Sequence, residues 1–334
     1  MTLIMMRHDF RAPLVSGTPH HEIYAAAIEM TKFADRHGFD MAVISEHHGR
    51  EDGWIPAPLV MAGVLLGSTE RIRILISATL PALTDPVRMA EQIAVLDLAA
   101  KGRLITTLGA GYRPEEFEMA GVEFSRRGRL MEEHCEVMMK AWIGEPFEWQ
   151  GRTIRVTPRP FSKPHPPLYI GGGTEAAARR AARLGLPLVP QNADPRLDGW
   201  YRDEQAKLGL TGGFVGMPAG PTYVHVTDDP ETTWNEIGPY LLEEAGTYAA
   251  MQPKGLASAP SVYASSVDDL KASSNYCVGP ADTILERAAS VGAFGALTLN
   301  PLCGGMPIDI AWKNLEKFAD EVLPGLRPSK AVAE

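Results

Sequence analysis

The sequence predicts an α/β fold in which eight strands alternate with helices and close into a single (β/α)8 TIM barrel. Short apolar runs alternate with amphipathic stretches along most of the chain, which is the pattern of a parallel sheet. The chain has 334 residues, and such barrels typically need about 250. Its hydrophobic content of 45% and charged content of 22% are those of a well-cored globular enzyme. A doubly wound open sheet is the alternative arrangement.

Eight short segments have the apolar composition of buried strands. They are residues 3–7, 41–45, 72–79, 104–108, 168–170, 188–189, 223–226 and 296–299. Because helical stretches separate them, we expect these strands to be parallel. A short hairpin is also predicted over 147–156, turning at Gln150 and Gly151.

Helices are predicted between these strands from apolar spacing and from end signals. The apolar face of the first helix is formed by Ile23, Ala27, Met30 and Ala34. Gly38 stands where a left-handed helix terminator is expected. Asp85 and Pro86 are an N-cap and first-turn pair for a helix that ends at 101–102. Further helices are predicted over 125–142, 175–184 and 308–322.

The chain is predicted to be one domain over residues 1–328, followed by a flexible tail over 329–334. The stretch from about 234 to 274 is longer than one crossover helix requires, so we assign it as an insertion before the last βα unit. No linker or short-period repeat divides the sequence.

Charge and cysteine content disfavour several classes of protein. A net charge of −9 argues against nucleic acid or an acidic membrane surface as a partner. The three cysteines, Cys135, Cys277 and Cys303, lie far apart, which indicates a reducing cytoplasm and neither a disulfide scaffold nor a zinc site. No signal peptide is expected, because the apolar stretch at the N-terminus is short and charge follows it at Arg7. No membrane span is expected, because no apolar run reaches about 18 residues.

Glycines or polar residues follow five consecutive predicted strands. The segments are Glu46-His47-His48, Ser77-Ala78-Thr79, Gly109 to Arg113, Gly171 to Thr174, and Gln191-Asn192. The carboxyl ends of the strands in a barrel meet at one rim, where active sites are built. The sequence therefore predicts one site that draws on all five segments.

The run Gly171-Gly172-Gly173-Thr174 has the character of a phosphate-binding turn. Glycines allow positive φ and a close approach of backbone N–H groups to an anion. The helix that follows would present its N-terminus, which attracts phosphate. A glycine-rich turn with a threonine N-cap and no ligand is an equally good interpretation.

His47 and His48 leave the second strand side by side, so they should point in opposite directions if strand geometry persists. One of them could face the barrel mouth, where a histidine suits general acid–base work. A structural, hydrogen-bonded histidine is the alternative. The Glu-His-His order lacks the helical spacing of zinc proteases, so a metal-dependent hydrolase is a weaker hypothesis.

Taken in order, the motifs resemble those of the luciferase-like flavin-dependent monooxygenases. The resemblance runs from about residue 1 to 192, with weaker support from 278–280 and the last strand. The segments that carry it are 38–40, Ser45 to His48, Asp85 to Arg88, Leu96-Asp97, Gly102-Arg103, Gly109 to Phe117, Gly121, Gly171 to Thr174, and Ala181 to Gly185.

The resemblance implies a role for each matching residue. His47 would be the catalytic acid–base group beside the flavin ring. Ser77-Ala78, followed by Thr79, falls where the family often has a non-proline cis peptide against that ring. Gly172, Gly173 and Thr174 would hold the phosphate, helped by Arg113. The other residues expected to bind the cofactor are Gly109, Gly111, Tyr112, Gly171 and Gln191.

The resemblance also implies cofactors and partners. It favours a monooxygenase that uses reduced FMN and O2 on a small organic substrate, with a separate flavin reductase and a homodimeric assembly. The alternative cofactor is the deazaflavin coenzyme F-420, which would make the protein a hydride-transfer oxidoreductase. A flavin-binding protein without catalysis is a third possibility. Pocket walls or a lid are expected from Trp54, Met61, Leu65 and the loop Cys303-Gly304-Gly305.

Overall fold

A computed structural model describes residues 2–252, 263–292 and 295–327. Its strands, in chain order, are β1 (Leu3–Arg7), β2 (Met41–Ile44), β3 (Arg73–Thr79), β4 (Leu104–Leu108), β5 (Phe147–Trp149), β6 (Arg152–Ile154), β7 (Leu168–Gly171), β8 (Leu188–Val189), β9 (Tyr223–Val226), β10 (Tyr276–Gly279) and β11 (Ala296–Leu299). Seven of them form one parallel sheet in the order β11-β1-β2-β3-β4-β7-β8. The predicted α/β fold with a parallel sheet is confirmed.

Both edges of this sheet hydrogen-bond to the segment 214–221. At one edge, the Leu188 N–H donates to the carbonyl of Phe214 (3.0 Å), and Gly216 donates to the carbonyl of Leu188 (2.8 Å). At the other edge, the N–H of Ala296 donates to the carbonyl of Ala219 (2.9 Å). Seven strands are therefore paired in the main sheet, and the closed eight-stranded barrel stays a prediction.

The structure corrects the assignment of 223–226. This segment is a strand, as predicted, but β9 pairs with β10 in a separate two-stranded parallel sheet. The sequence analysis gave β10 no strand, because a tyrosine, a cysteine and a glycine in four residues dilute its apolar signal. Because β10 was not predicted, the strand 223–226 was assigned to the main sheet.

The helices are α1 (His20–Arg36), α2 (Pro58–Gly67), α3 (Pro86–Ala99), α4 (Pro114–Met119), α5 (Arg127–Ile143), α6 (Glu175–Arg183), α7 (Arg196–Leu208), α8 (Pro230–Met251), α9 (Val267–Ala272), α10 (Ala281–Ser290), α11 (Ile308–Lys317) and α12 (Leu323–Leu326). A π-helical turn (Phe318–Val322) continues α11, so the predicted last helix is present but irregular. Helix α8 starts before residue 234 and runs through the predicted insertion boundary.

Local end signals were predicted well. The Asp85 carboxylate accepts hydrogen bonds from the N–H groups of Val87 (2.9 Å) and Arg88 (3.1 Å), so it caps α3. Gly38 has a φ of +77°, in the left-handed region expected after α1. The hairpin of β5 and β6 turns where predicted.

The core lies between the parallel sheet and its helices. Ile4, Met6, Ile44, Ile74 and Ile76 of the first three strands are each fully buried. Burial of one such side chain contributes about 1.5–3 kcal/mol relative to exposure. The strands are thus held in place by their apolar residues, which leaves the segments at their carboxyl ends to carry polar groups. Within the described ranges, no helix combines the length and the apolar character needed to cross a membrane.

Candidate functional site

His47 follows β2 and is held at both ring nitrogens. Its Nδ1 lies 2.8 Å from Oε1 of Glu116, and its Nε2 lies 3.2 Å from the hydroxyl of Tyr112. An ionised carboxylate only accepts hydrogen bonds, so Nδ1 carries a proton, and in the neutral ring Nε2 accepts from the Tyr112 hydroxyl. His47 is only 7% exposed. Its basic nitrogen is therefore aimed at Tyr112 and kept from bulk water.

Glu116, on α4, is the buried anchor of this arrangement. Its Oε1 also accepts from the backbone N–H of His48 and from the Arg113 guanidinium, each at 3.1 Å. Burial acts to raise the pKa of Glu116, but the hydrogen bonds with His47 and its other donors hold it below the usual value. The carboxylate stays ionised and fixes the His47 tautomer. Sequence reasoning quoted Glu116 only inside a family motif and gave it no role.

Aromatic rings surround His47. The Trp54 ring lies edge-on at 4.5 Å between centroids, and the Tyr112 ring lies at 5.6 Å. Tyr248 of α8 packs edge-on against Trp54 at 5.1 Å. Burial raises the pKa of Tyr112 and raises the pKa of Tyr248 to about 12. Both phenols are therefore protonated near neutral pH and able to donate.

The His48 side chain is hydrogen-bonded to a different carboxylate, that of Glu46. Its Nε2 lies 2.9 Å from Oε1 of Glu46, whose other oxygen accepts from the hydroxyl of Thr79 and from the N–H of Leu80 (3.3 Å). The hydrogen bond with Glu46 raises the pKa of His48. The two adjacent histidines thus have separate partners. Among the described residues, no group of three His, Cys, Asp or Glu side chains could hold a metal ion.

The ends of β3, β4 and β7 meet at Ala78. The peptide bond between Ser77 and Ala78 is cis, as the resemblance implied. A Cβ added to Gly109 would lie 3.0 Å from the Cβ of Ala78, and one added to Gly171 would lie 3.8 Å from it. The Gly109 N–H also donates to the carbonyl of Thr79 (2.8 Å). These glycines keep the surface around the cis peptide bare.

The turn after β7 leads directly into α6. Gly172 has a φ of +120°, and a Cβ there would lie 2.9 Å from the Cβ of Ala177. A Cβ on Gly173 would overlap the amide of Asn192. The Thr174 hydroxyl accepts from the N–H of Ala177 (3.3 Å) and caps α6. Gly172 and Gly173 have no side chains of their own, so the turn can present backbone N–H groups at the N-terminus of α6.

The other candidates are placed as follows. Gly111 has a φ of +75° and packs against Phe117. Gln191 lies in the turn after β8, next to Asn192. The Arg113 guanidinium is engaged with Glu116 (3.1 Å) and with the His48 carbonyl (3.2 Å), so the structure assigns it to the His47 environment and not to the phosphate turn.

The residues expected to form pocket walls or a lid are all buried. Trp54, Met61 and Leu65 all belong to the main hydrophobic core, and Trp54 also contacts the His47 ring. The loop Cys303-Gly304-Gly305 is fully buried, with the Cys303 thiol donating to Glu244 (2.6 Å) and the Gly304 N–H donating to Asp9 (2.9 Å). The expectation of a lid at this loop is corrected, because these bonds make it a fixed part of the interior.

The site has features that fit a phosphorylated ring cofactor. Bare glycine surface lines the ends of three neighbouring strands, and backbone donors sit at a helix N-terminus. The buried hydroxyl of Thr107, which lies beside Gly171, has no hydrogen-bond partner within the described residues. This hydroxyl is therefore available to a bound cofactor.

A parallel α/β sheet with such a rim defines the class of enzymes that bind a phosphorylated cofactor at their strand ends. Residues 4–298 match the family model described as luciferase-like monooxygenase. The chain therefore belongs to the luciferase-like monooxygenase family.

Two curated relatives cover part of this chain. An uncharacterized protein, y4vJ, of Sinorhizobium fredii (strain NBRC 101917 / NGR234) is 28% identical over 207 residues, which is 60% of this chain and 57% of that protein. The alkanal monooxygenase alpha chain of the Kryptophanaron alfredi symbiont is 27% identical over 173 residues, 50% of this chain and 48% of that one. The matches span about half the length of these relatives.

Solved structures resemble the chain along nearly its whole length. Monooxygenase RslO1 from Streptomyces bottropensis has a TM-score of 0.77 at 22% identity, covering 98% of this chain and 100% of that one. The oxygenating constituent of 3,6-diketocamphane monooxygenase from Pseudomonas putida, in complex with FMN, has a TM-score of 0.69 at 20% identity, covering 97% and 98%. An F420-dependent secondary alcohol dehydrogenase has a TM-score of 0.67 at 18% identity, covering 98% and 100%. At these identities the likeness concerns the fold.

Proposed function

We propose that this protein is a monooxygenase that uses reduced FMN and O2 to oxidise a small organic substrate. The observation that carries the proposal is the histidine at the rim. His47 has its Nδ1 fixed by the buried carboxylate of Glu116 and its Nε2 turned toward Tyr112. Family membership and the FMN complex of a structural neighbour support the choice of cofactor.

The residues that would hold the cofactor lie on consecutive strand ends. Gly172, Gly173 and Thr174 would bind the phosphate through backbone N–H groups and the threonine hydroxyl, and Gln191 would approach the polar edge of the ring. The ring would lie against the bare surface made by Ser77, Ala78, Thr79, Gly109, Gly111, Tyr112 and Gly171. When bound, reduced FMN supplies the two electrons that let one oxygen atom of O2 enter the substrate while the other leaves as water.

The chain's own residues would handle protons and exclude water. His47 Nε2 can accept a proton from the reacting group and return it, and Tyr112 is placed to relay it. Trp54, Tyr112 and Tyr248 form an aromatic wall that keeps this nitrogen from solvent. Exclusion of water matters because reduced flavin in an exposed site would pass its two electrons to O2 and release hydrogen peroxide without oxidising the substrate.

Hydride transfer with coenzyme F-420 is the second candidate. The structural neighbour with an F420-acetone adduct has the same fold, which supports it. Titrating the purified protein with FMN and with coenzyme F-420 in parallel distinguishes the two. Tighter binding of the deazaflavin, with no oxygen consumption, would replace the monooxygenase proposal.

The decisive variant is His47→Ala. We expect it to bind FMN as the parent protein does, because His47 is not among the phosphate-turn residues, and to lose about 100-fold or more in substrate-dependent oxygen consumption. His37→Ala, which removes an exposed histidine at the end of α1, is the matched control. Unchanged turnover in His47→Ala would remove His47 from its role. Flavin binding without substrate-dependent turnover in any panel of organic compounds would favour a non-catalytic flavin carrier.

The architecture and partners are part of the same proposal. We infer that residues 1–328 form one domain. The segment 214–221 would take the eighth position of the barrel, between β8 and β11, and the segment 234–274 would be an insertion before the last βα unit. A separate reductase would supply reduced flavin, and the assembly would be a cytoplasmic homodimer.

A further inference from the structure

Arg180, on α6, carries a buried positive charge that is incompletely paired. Its side chain is only 13% exposed, and its nearest carboxylate oxygen, on Glu132, lies 3.6 Å from Nε. That nitrogen has no hydrogen-bond partner within the described residues. Glu132 is taken up by Arg183, which donates to both of its oxygens at 2.8 Å. A guanidinium in this position is costly to bury unless something else pairs with it.

The neighbouring charges add to the imbalance. Burial, together with Arg183 and Arg127, lowers the pKa of Arg180 despite the nearby Glu132. Arg127 Nη1 donates to the carbonyl of Phe124 (3.0 Å), and the Arg127 guanidinium packs over the Phe124 ring. Arg180 and Arg183 therefore share Glu132, and of these two only Arg183 has a second carboxylate, that of Glu204 at 3.4 Å. The locus is positive and suited to an anion.

Arg180 is placed to serve the phosphate turn. It follows the N-cap Thr174 by six residues, about 9 Å along the helix axis. Long side chains on a helix generally point back toward its N-terminus, and for Arg180 that is the direction of the turn at Gly172 and Gly173. Its Nη2 lies 2.5 Å from where a Cβ on Gly128 would be, so the guanidinium rests on the first turn of α5. The glycine at 128 provides the space it occupies.

None of the other basic residues described around His47 serves this turn. Arg113 is committed to Glu116, and the residues of the turn itself are glycines and a threonine. Backbone N–H groups alone would leave most of a dianion's charge uncompensated. We propose that Arg180 is a further cofactor-binding residue, whose guanidinium pairs with the phosphate monoester of the flavin at the N-terminus of α6. This inference rests on the proposed function, because it needs a phosphorylated flavin in that site.

FMN and riboflavin differ only in the phosphate, so they test the inference directly. The experiment measures the dissociation constants of both flavins by fluorescence quenching for the parent protein, Arg180→Met and Arg179→Met. Arg179 is the matched control, because it lies next in sequence and is already paired with Glu175 and Glu204. We expect Arg180→Met to weaken FMN binding at least tenfold and to leave riboflavin binding within about twofold. Arg179→Met should change neither.

A second variant covers the case in which Arg180→Met folds poorly. Gly128→Ala keeps the charge but places a methyl group where the guanidinium now lies, so FMN binding should weaken while riboflavin binding persists. An unchanged ratio of FMN to riboflavin affinity in both variants would overturn the assignment of Arg180 to the cofactor phosphate.

Inorganic phosphate separates this inference from the proposed function. If the parent protein bound no flavin or deazaflavin, the proposed function would fail, and the cofactor assignment of Arg180 would fail with it. Thermal stabilisation by phosphate in the parent and not in Arg180→Met would then show that the locus binds a free anion. Equal stabilisation of both proteins would mean that the locus has no anion site.

Discussion

The buried hydrogen bond between His47 and Glu116 decides which nitrogen of the His47 ring carries the proton and which can act as a base. A free histidine exchanges its proton between two nitrogens, but here an ionised carboxylate holds the proton on Nδ1. The other nitrogen becomes the base, and it is aimed at Tyr112. Two residues of the chain that are distant in sequence thus fix one tautomer.

Replacing Glu116 with glutamine tests this. The amide has the size of the carboxylate but no charge, and it can turn its NH2 group toward His47 and reverse the tautomer. We expect Glu116→Gln to reduce substrate-dependent oxygen consumption at least tenfold and to leave the affinity for FMN within about twofold. Glu116→Asp, which keeps the charge, should recover part of the rate. A glutamine variant with parental turnover would show that tautomer control is not needed.

His48 gives a prediction for pH. Its pKa in the folded protein is raised by the hydrogen bond with Glu46, so the protonated form is favoured by folding. This contribution to stability is fully present below about pH 6.5, the ordinary histidine value, and is lost as pH rises through the raised folded value. We expect His48→Gln to lower the free energy of unfolding more at pH 6 than at pH 9, with a difference of at most about 1 kcal/mol. Urea denaturation at both pH values measures it, and a loss that grew with pH would contradict the ion pair.

At the residue scale, the functional residues that could be predicted from the sequence are those that lie in short local motifs. His47 and the glycines after β7 stand in short, recognisable runs. Glu116, Tyr248 and Arg180 do not, because their meaning depends on partners far away in the chain. Glu116 lies 69 residues from His47, and nothing in its own surroundings in the sequence marks it as that residue's partner.

Among the elements, α3 shows how a local signal sets a helix start. Asp85 accepts from two N–H groups of the first turn, which the helix itself cannot satisfy. Asp85→Ala should lower the free energy of unfolding by about 1 kcal/mol, measured by urea denaturation. Asp85→Ser retains a capping oxygen and should lose only a small part of that. Equal losses in both variants would point to a cause other than the cap.

The elements that escaped the sequence analysis lack such signals. Helix α2 is apolar on all sides, so it has no helical periodicity to detect. Helix α8 continues past Pro239 in its interior, where a helix would be expected to break. Strand β10 depends on pairing with β9 for its identity. The structure of these three elements depends on tertiary contacts, whereas helix caps and turns could be predicted from residues that are neighbours in the sequence.

On the scale of the whole molecule, α2 and α3 leave an apolar face exposed. Val60 and Val64 on α2 are 68% and 43% exposed, and Val95 and Leu98 on the adjacent α3 are 53% and 37% exposed. A helix that is apolar on all sides is normally buried. Within the described residues of the single chain, no element packs over the exposed side of α2, which indicates that a partner surface buries it. A second copy of this chain would bring an equally apolar face, as a two-fold interface requires.

This face leads to a prediction about assembly. If two copies associate through α2 and α3, a carboxylate at Val64 would be buried without a partner on each side of the interface. We expect the parent protein to elute as a dimer in size-exclusion chromatography with light scattering, and Val64→Glu to elute as a monomer with its FMN affinity retained. Leu208→Glu introduces the same charge at an apolar residue of α7 that is 50% exposed, and it should remain dimeric. A monomeric parent protein, or a dimer that tolerates Val64→Glu, would place the partner of α2 elsewhere.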